Sequence, residues 1–321
     1  MSEPVLAVEG LVKHYPARGR GRAVVRAVDG VDLALWPGRT LGLVGESGCG
    51  KSTTGRLVVR LTDPTSGRIL YGGRDLARLS QAELRPLRGE IQIVFQDPYS
   101  SLSPRMTVHE IVAEPLRTRR RYRDGGRERV GELLELVGLP PGHANRYPHE
   151  FSGGQRQRVG IARALALDPR VLVLDEPVSA LDVSIQAQVV NQLAHLQRTL
   201  GVAYLFISHD LSVVRHLCDR VAIMYLGRIV EEGERDDVFA RPAHPYTRAL
   251  ISAVPIAHPS ERGSRRRITL PGDVPSPADP PSGCRFRTRC WKARERCAAE
   301  EPRLAGADHR VACHFPEEGP S

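Results

Sequence analysis

At 321 residues the chain suits one large domain or two smaller ones, with ample length for a core. Hydrophobic residues at 41% and charged residues at 26% have the balance of a soluble globular protein, and no run of about eighteen uncharged apolar residues exists, which excludes a conventional membrane span. The net charge of +9 is mostly arginine, clustered at Arg117–Arg123 and Arg262–Arg267, yet aromatics total only 5%; solvated arginine on loops explains this better than base stacking, and nucleic acid is not expected as a partner. Met1-Ser2-Glu3-Pro4 lacks the basic and apolar regions of a secretory signal, so a cytoplasmic location is expected.

In chain order, Val5–Val8 and Val24–Leu35 are β-like and flank the basic, glycine-containing loop Ala17–Arg22, which predicts an antiparallel β subdomain. Tyr15, just before that loop, suits either a core position or the face of an adenine ring. Thr40–Val44 is a short apolar run of the kind that forms a buried parallel strand, and Lys51–Arg60 reads as the start of a helix. Ile69–Tyr71 and Ile91–Phe95 predict further strands. From about residue 97 to 160 charged helical stretches, Thr107–Arg117 and Arg127–Val137, predict a helical insertion. Val171–Leu174 and Ala203–Ile207 are two more buried-strand runs, with a helix over Ser184–Leu200 between them. Val221–Glu232 alternates around Gly227 as a hairpin does. Strands alternating with helices imply an α/β fold with a parallel sheet covered on both faces. After about Val254 the chain becomes rich in proline and holds four of its six cysteines, so residues 1–255 and 256–321 are expected to be distinct units, the second largely irregular.

Between the strand Thr40–Val44 and the following helix lies Gly45-Glu46-Ser47-Gly48-Cys49-Gly50-Lys51-Ser52, followed by Thr53, which fits the phosphate-binding loop G-x-x-x-x-G-K-[ST] in the context that loop requires. Glycines let backbone N–H groups approach phosphate oxygens, and the helix N-terminus adds partial positive charge at the same point. Lys51 would reach the β- and γ-phosphates, and the Ser52 hydroxyl would bind Mg²⁺. Asp175 and Glu176 end the run Val171–Leu174, at the carboxyl end of a strand where open α/β sheets bind ligands. Asp175 is placed to hold Mg²⁺ and Glu176 to act as the base that orients water. Ser152-Gly153-Gly154-Gln155 opens a helix and forms a second anion-seeking surface.

Gly45–Thr53, Gln96, Ser152–Gln155, Val171–Glu176, Ser179–Asp182 and His209 together resemble an ATP-binding cassette (ABC) ATPase, standing in the order of its Walker A, Q-loop, signature, Walker B, D-loop and switch histidine. The resemblance implies a P-loop NTPase (RecA-like) core and covers roughly residues 4 to 255. It departs at Phe151, where the signature usually opens with leucine. It further implies adenine stacking for Tyr15, γ-phosphate and Mg²⁺ sensing for Gln96, a catalytic role for His209, and contact across a paired cassette for Ser152–Gln155 and Asp182. ATP would then be sandwiched between the phosphate loop of one cassette and the signature of a second.

Gln96–Thr107, Tyr147–Glu150, His244–Leu250 and the cysteine-bearing tail resemble the ATPase subunits of oligopeptide and dipeptide importers, the second of the paired subunits more than the first. That resemblance implies a partner cassette in a heterodimer, two transmembrane permease subunits and, indirectly, an extracytoplasmic peptide-binding protein, with this chain on the cytoplasmic face of the membrane. Cassettes for another solute (nickel, glutathione, a sugar), or a soluble cassette acting on nucleic acid or ribosomes, are the alternatives. Cys284, Cys290, Cys297 and Cys313 are wider apart than the ligands of usual zinc or ferredoxin sites. Spacing points to a metal without naming it; the importer resemblance implies a 4Fe–4S cluster.

Overall fold

A computed structural model describes residues 3–16, 24–97, 101–254 and 267–317; the loop Ala17–Arg22 and most of the cluster Arg262–Arg267 lie outside the described residues. Two sheets form the frame. The smaller is antiparallel, with strands β1 (Leu6–Pro16), β2 (Val24–Leu35), β4 (Ser66–Tyr71) and β5 (Arg74–Asp75) in the order β2-β1-β4-β5. The parallel part of the larger sheet comprises β3 (Thr40–Val44), β6 (Ile91–Val94), β7 (Val171–Asp175), β8 (Ala203–Ser208) and β9 (Arg220–Tyr225). Strand β10 (Arg228–Glu234) returns antiparallel to β9, and β11 (Arg310–Val311) pairs with β10. The seven strands of this sheet run in the order β11-β10-β9-β3-β8-β7-β6.

The central strands are buried along their whole length because helices cover them, so β3, β7 and β8 are apolar at nearly every position rather than alternating. β1 is longer than the expected Val5–Val8, extending to Pro16: its second half pairs with β2 through register shifts after Val8, and its polar residues on the half-exposed face hide the strand signal. The turn between β9 and β10 places both Leu226 (φ 42°) and Gly227 (φ 82°) in the left-handed region, as a two-residue hairpin demands.

Residues 101–152 are mainly helical, with helices Val108–Thr118 and Gly126–Leu136 packed against helix Gly153–Leu165. A capping box at Thr107 and Glu110 starts the first of these. Tyr122, the one aromatic inside the cluster Arg117–Arg123, turns inward, its hydroxyl 2.7 Å from His109 Nε2 and its ring under Arg117, 4.7 Å from the guanidinium. Phe151 is buried at 4% exposure against His143 in an edge-on contact, which explains how a ring is accommodated where leucine is usual.

Residues 267–317 are irregular except for helix Glu295–Ala299 and β11, and they lie directly on the core. The peptide N–H of Ala312 donates to Val230 O (2.8 Å), and Glu232 of β10 pairs with Arg310. Phe286 is buried at 1% among Tyr225, Tyr246 and His244, with ring centroids 5.3, 5.4 and 5.6 Å away. Among the described residues no helix is long and apolar enough to cross a membrane.

Candidate functional site

The loop Gly45–Ser52 connects β3 to helix Lys51–Val58 at the carboxyl edge of the parallel sheet. Two of its glycines are sterically obligatory: a Cβ on Gly45 would lie 2.2 Å from Met224 O, and one on Gly50 (φ 110°) 2.1 Å from Ala27 O. The β9–β10 turn grips the loop from behind, with Gly227 N–H donating to Cys49 O (2.8 Å). Cys49 is buried, and burial pushes its thiol up, so it is a neutral packing residue here. Lys51, 4% exposed, folds its ammonium back across the loop and donates to Gly45 O (2.8 Å) and Glu46 O (3.0 Å).

Opposite the loop, β7 delivers Asp175 and Glu176. Ser52 Oγ donates to Asp175 Oδ1 (2.7 Å), and Asp175 is only 2% exposed. Burial, with Glu176 adding to it, raises the Asp175 pKa despite the Ser52 hydroxyl. A hydroxyl and a buried carboxylate in contact are hard oxygen donors of the kind that suit Mg²⁺, so these residues fit that ion. Glu176 sits at φ 47°, a strained value for a non-glycine, held by its N–H donating to Ile207 O (3.0 Å). Its carboxylate is the point of convergence: Gln96 Nε2 donates to Oε2 (2.9 Å), His209 Nδ1 lies 3.3 Å from Oε2, and Lys51 Nζ lies 4.0 Å from Oε1. Ser47, Gly48, Gly50, Lys51, Ser52, Thr53, Gln96, Glu176 and His209 line one cleft of about 490 Å³. That is room for a nucleotide.

Other expected site residues stand apart from this cleft. Ser152 and Gln155 form a capping box on helix Gly153–Leu165: Ser152 N–H donates to Gln155 Oε1 (3.0 Å) and Gln155 N–H to Ser152 Oγ (3.4 Å). A Cβ on Gly154 would meet Ile185 Cγ2 at 2.4 Å, and one on Gly153 would meet Leu181 Cδ2 at 3.1 Å. The signature glycines therefore pack on the segment that carries Asp182, the residue before helix Val183–Leu200. Neither segment lines the cleft of its own chain. Tyr15, at the end of β1, is 37% exposed with Lys13 Nζ 4.9 Å above its ring, and it too lies outside that lining.

Sequence reasoning missed Val25, Ala27 and Pro277 in the cleft wall. The first two stand in an expected strand without any distinguishing chemistry, and Pro277 is one of many prolines in its segment. Also missed were Tyr246 and Arg289, which hold Glu46 from outside the cleft.

The expected 4Fe–4S cluster is overturned. Among the described residues no group of three or more His, Cys, Asp or Glu is arranged to hold a metal ion. Cys284, Cys290, Cys297 and Cys313 are free thiols around a space of only about 10 Å³, roughly the room of one water. Burial pushes the Cys284 thiol up to about 11 and raises Cys290 and Cys313 as well, so these metal-free thiols are neutral. These sulfurs are packing groups of the C-terminal segment, lining that space together with Phe286 and Phe315.

The loop, the acidic strand end and the parallel sheet define a P-loop NTPase. Residues 28–179 match the ABC transporter family, and residues 230–297 match the oligopeptide/dipeptide transporter C-terminal region. The chain is 52% identical over 321 residues to the oligopeptide transport ATP-binding protein AppF of Bacillus subtilis, covering 98% of both chains. The structure of cbiO1 from Clostridium perfringens, part of the ABC transporter complex cbiONQ, is similar at a TM-score of 0.66 with 31% identity, over 74% of this chain and 92% of that one. The dimeric structure of MJ0796, a bacterial ABC transporter cassette, is similar at a TM-score of 0.64 with 30% identity, over 72% and 98%. The chain belongs to the ABC transporter ATPases, in the oligopeptide/dipeptide branch of that family. It hydrolyses ATP.

Proposed function

We propose that this chain is the ATP-hydrolysing subunit of a peptide importer, acting from the cytoplasmic face of the membrane on two permease subunits. It pairs with a second, different cassette, and an extracytoplasmic peptide-binding protein supplies the solute. In this reading residues 1–255 form the ATPase domain and 256–321 a C-terminal extension, while the helices within 97–160 grip the permease. The similarity to an oligopeptide transport ATP-binding protein along nearly the whole chain supports the peptide assignment.

The convergence of Gln96, His209 and Lys51 on the Glu176 carboxylate carries the mechanistic reading. The loop amides and Lys51 take the phosphates, Lys51 leaving the carbonyls of Gly45 and Glu46 to do so. Ser52 and Asp175, with Gln96, would hold Mg²⁺, which supplies positive charge against the phosphate oxygens. Glu176 accepts a hydrogen bond from the attacking water and orients it, while Gln96 and His209 fix the carboxylate's direction. Tyr15 stacks on adenine from the mouth of the site. Ser152–Gln155 and Asp182, outside the lining of their own cleft, serve the nucleotide of the partner cassette. Pairing then completes each site, since the amides that stabilise spread charge on the transferring phosphoryl group come from the second chain.

Glu176→Gln preserves shape and one hydrogen-bond acceptor but removes the base. Phosphate release should fall by at least about a hundredfold while ATP still binds. Near-normal turnover in that variant would refute the assignment.

A further inference from the structure

The second residue of the phosphate loop is tied at every polar group it has. Glu46 N–H donates to Tyr246 Oη (2.9 Å), and its carbonyl accepts from Lys51 Nζ (3.0 Å) and from Cys49 N–H (3.3 Å). Its carboxylate is taken by the fork of a single arginine: Arg289 Nη1 donates to Oε2 (2.8 Å) and Nη2 to Oε1 (3.2 Å). Neither Glu46 nor Arg289 lines the nucleotide cleft. The fork grips the loop from behind.

Arg289 comes from the C-terminal segment, 243 residues along the chain from Glu46. Its own position is set by packing, for it is 7% exposed and its N–H donates to Phe286 O (3.0 Å). Phe286 in turn is wedged between Tyr225 and Tyr246, and Tyr246 is the partner of the Glu46 amide. One small cluster thus fixes Glu46 by two independent handles, one neutral and one charged. A bidentate guanidinium–carboxylate pair fixes orientation as well as distance, which a lysine in the same place could not do.

From this geometry we propose that Arg289 is a positioning residue for the ATP site: it pre-organises the phosphate loop through Glu46, so that the C-terminal segment sets the affinity for nucleotide. A loop whose turn is fixed before the ligand arrives has less conformational freedom to lose on binding. Glu176, Gln96 and His209 hang from other strands and loops, so loosening Glu46 weakens nucleotide capture more than turnover. The proposal rests on the reading of Gly45–Ser52 as the nucleotide site.

The test uses the full chain, a fluorescent trinitrophenyl-ATP titration for Kd, and phosphate release for KM and kcat. Arg289→Ala and Glu46→Ala should each raise Kd and KM on the order of tenfold with kcat within about twofold of the parent. Arg289→Lys should recover little of the loss. Because both changes break one contact, the double variant should bind about as well as either single one. An unchanged Kd in Arg289→Ala overturns the proposal, as do additive losses in the double variant or a fall confined to kcat. Should Arg289→Ala not fold, Glu46→Gln carries the same test, since it keeps the side chain's shape and removes its charge. Lys51→Ala separates the two levels. If it binds nucleotide like the parent, the site itself is misassigned; if it loses binding while Arg289→Ala does not, only the role of Arg289 falls.

Discussion

Asp175 illustrates what single residues contribute beyond their place in a motif. Its position at the end of β7 is legible from four apolar residues followed by two acids, because a buried parallel strand must be apolar and ligands gather at its carboxyl end. The energetic cost of that position is not legible, since it depends on neighbours from distant parts of the chain. Burial raises the Asp175 pKa above its unfolded value, so the folded chain binds a proton more tightly there than the unfolded chain does. Stability associated with this group is therefore greatest at low pH and declines as pH rises through its folded pKa. The ionised carboxylate destabilises the protein in the absence of cation and nucleotide. Asp175→Asn should consequently raise the melting temperature of the nucleotide-free protein, read by thermal unfolding, while Mg²⁺-dependent phosphate release falls by about a hundredfold or more. A lower melting temperature for the asparagine variant would show that the charge is already compensated.

Elements are legible in the sequence where burial is uniform and obscure where it is not. The runs behind β3, β7 and β8 stand out because both faces are covered, whereas the far half of β1 and the two-residue β11 carry no period long enough to read. Short helices offer even less; the clearest case is helix Pro245–Ser252, whose start depends on His244. His244 Nδ1 accepts from Tyr246 N–H (3.0 Å), which requires that nitrogen to be unprotonated. The side chain is buried, and burial lowers its pKa from 6.5 to about 4, against an opposing pull from Glu231, the carboxylate that also accepts from the His244 amide and lies beside His309. The unfolded chain therefore takes up a proton below pH 6.5 that the folded chain refuses, so stability is intact above that value and is lost as pH falls toward 4. The full loss is about 3 kcal/mol. Urea unfolding of the parent at about pH 7 and about pH 4.5 should show most of it. His244→Asn, whose side-chain oxygen can cap the same amide without titrating, should show a much smaller difference between the two conditions; an equal difference would place the acid sensitivity elsewhere.

At the scale of the whole molecule, the phosphate loop is held between parts of the chain that composition alone assigns to separate units. The change after Val254 is visible in the sequence, and so is the identity of the first unit, because its motifs are local and ordered. The docking of residues 267–317 is not, since its contacts join positions with no periodic relation: Phe286 to Tyr225 and Tyr246, Arg285 to Asp29, and Arg289 to Glu46. The cysteines mislead for a related reason, their spacing suggesting ligands where the packing gives free thiols lining a small space with Phe286 and Phe315. If the segment is an integral part of the core, deleting its central ring must cost what a core truncation costs. Phe286→Ala should destabilise the full chain by about 3–5 kcal/mol in urea unfolding, through lost burial and the cavity left among Tyr225, Tyr246 and His244. Phe286→Leu, which refills most of that volume, should cost no more than about half as much. A loss below about 1 kcal/mol for the alanine variant would mean that the segment rests on the surface, where truncations change little. Tyr246 holds the Glu46 amide as well as the Phe286 ring, so the same substitution should loosen the phosphate loop and weaken ATP binding alongside the stability loss, linking the far end of the chain to the site near its start.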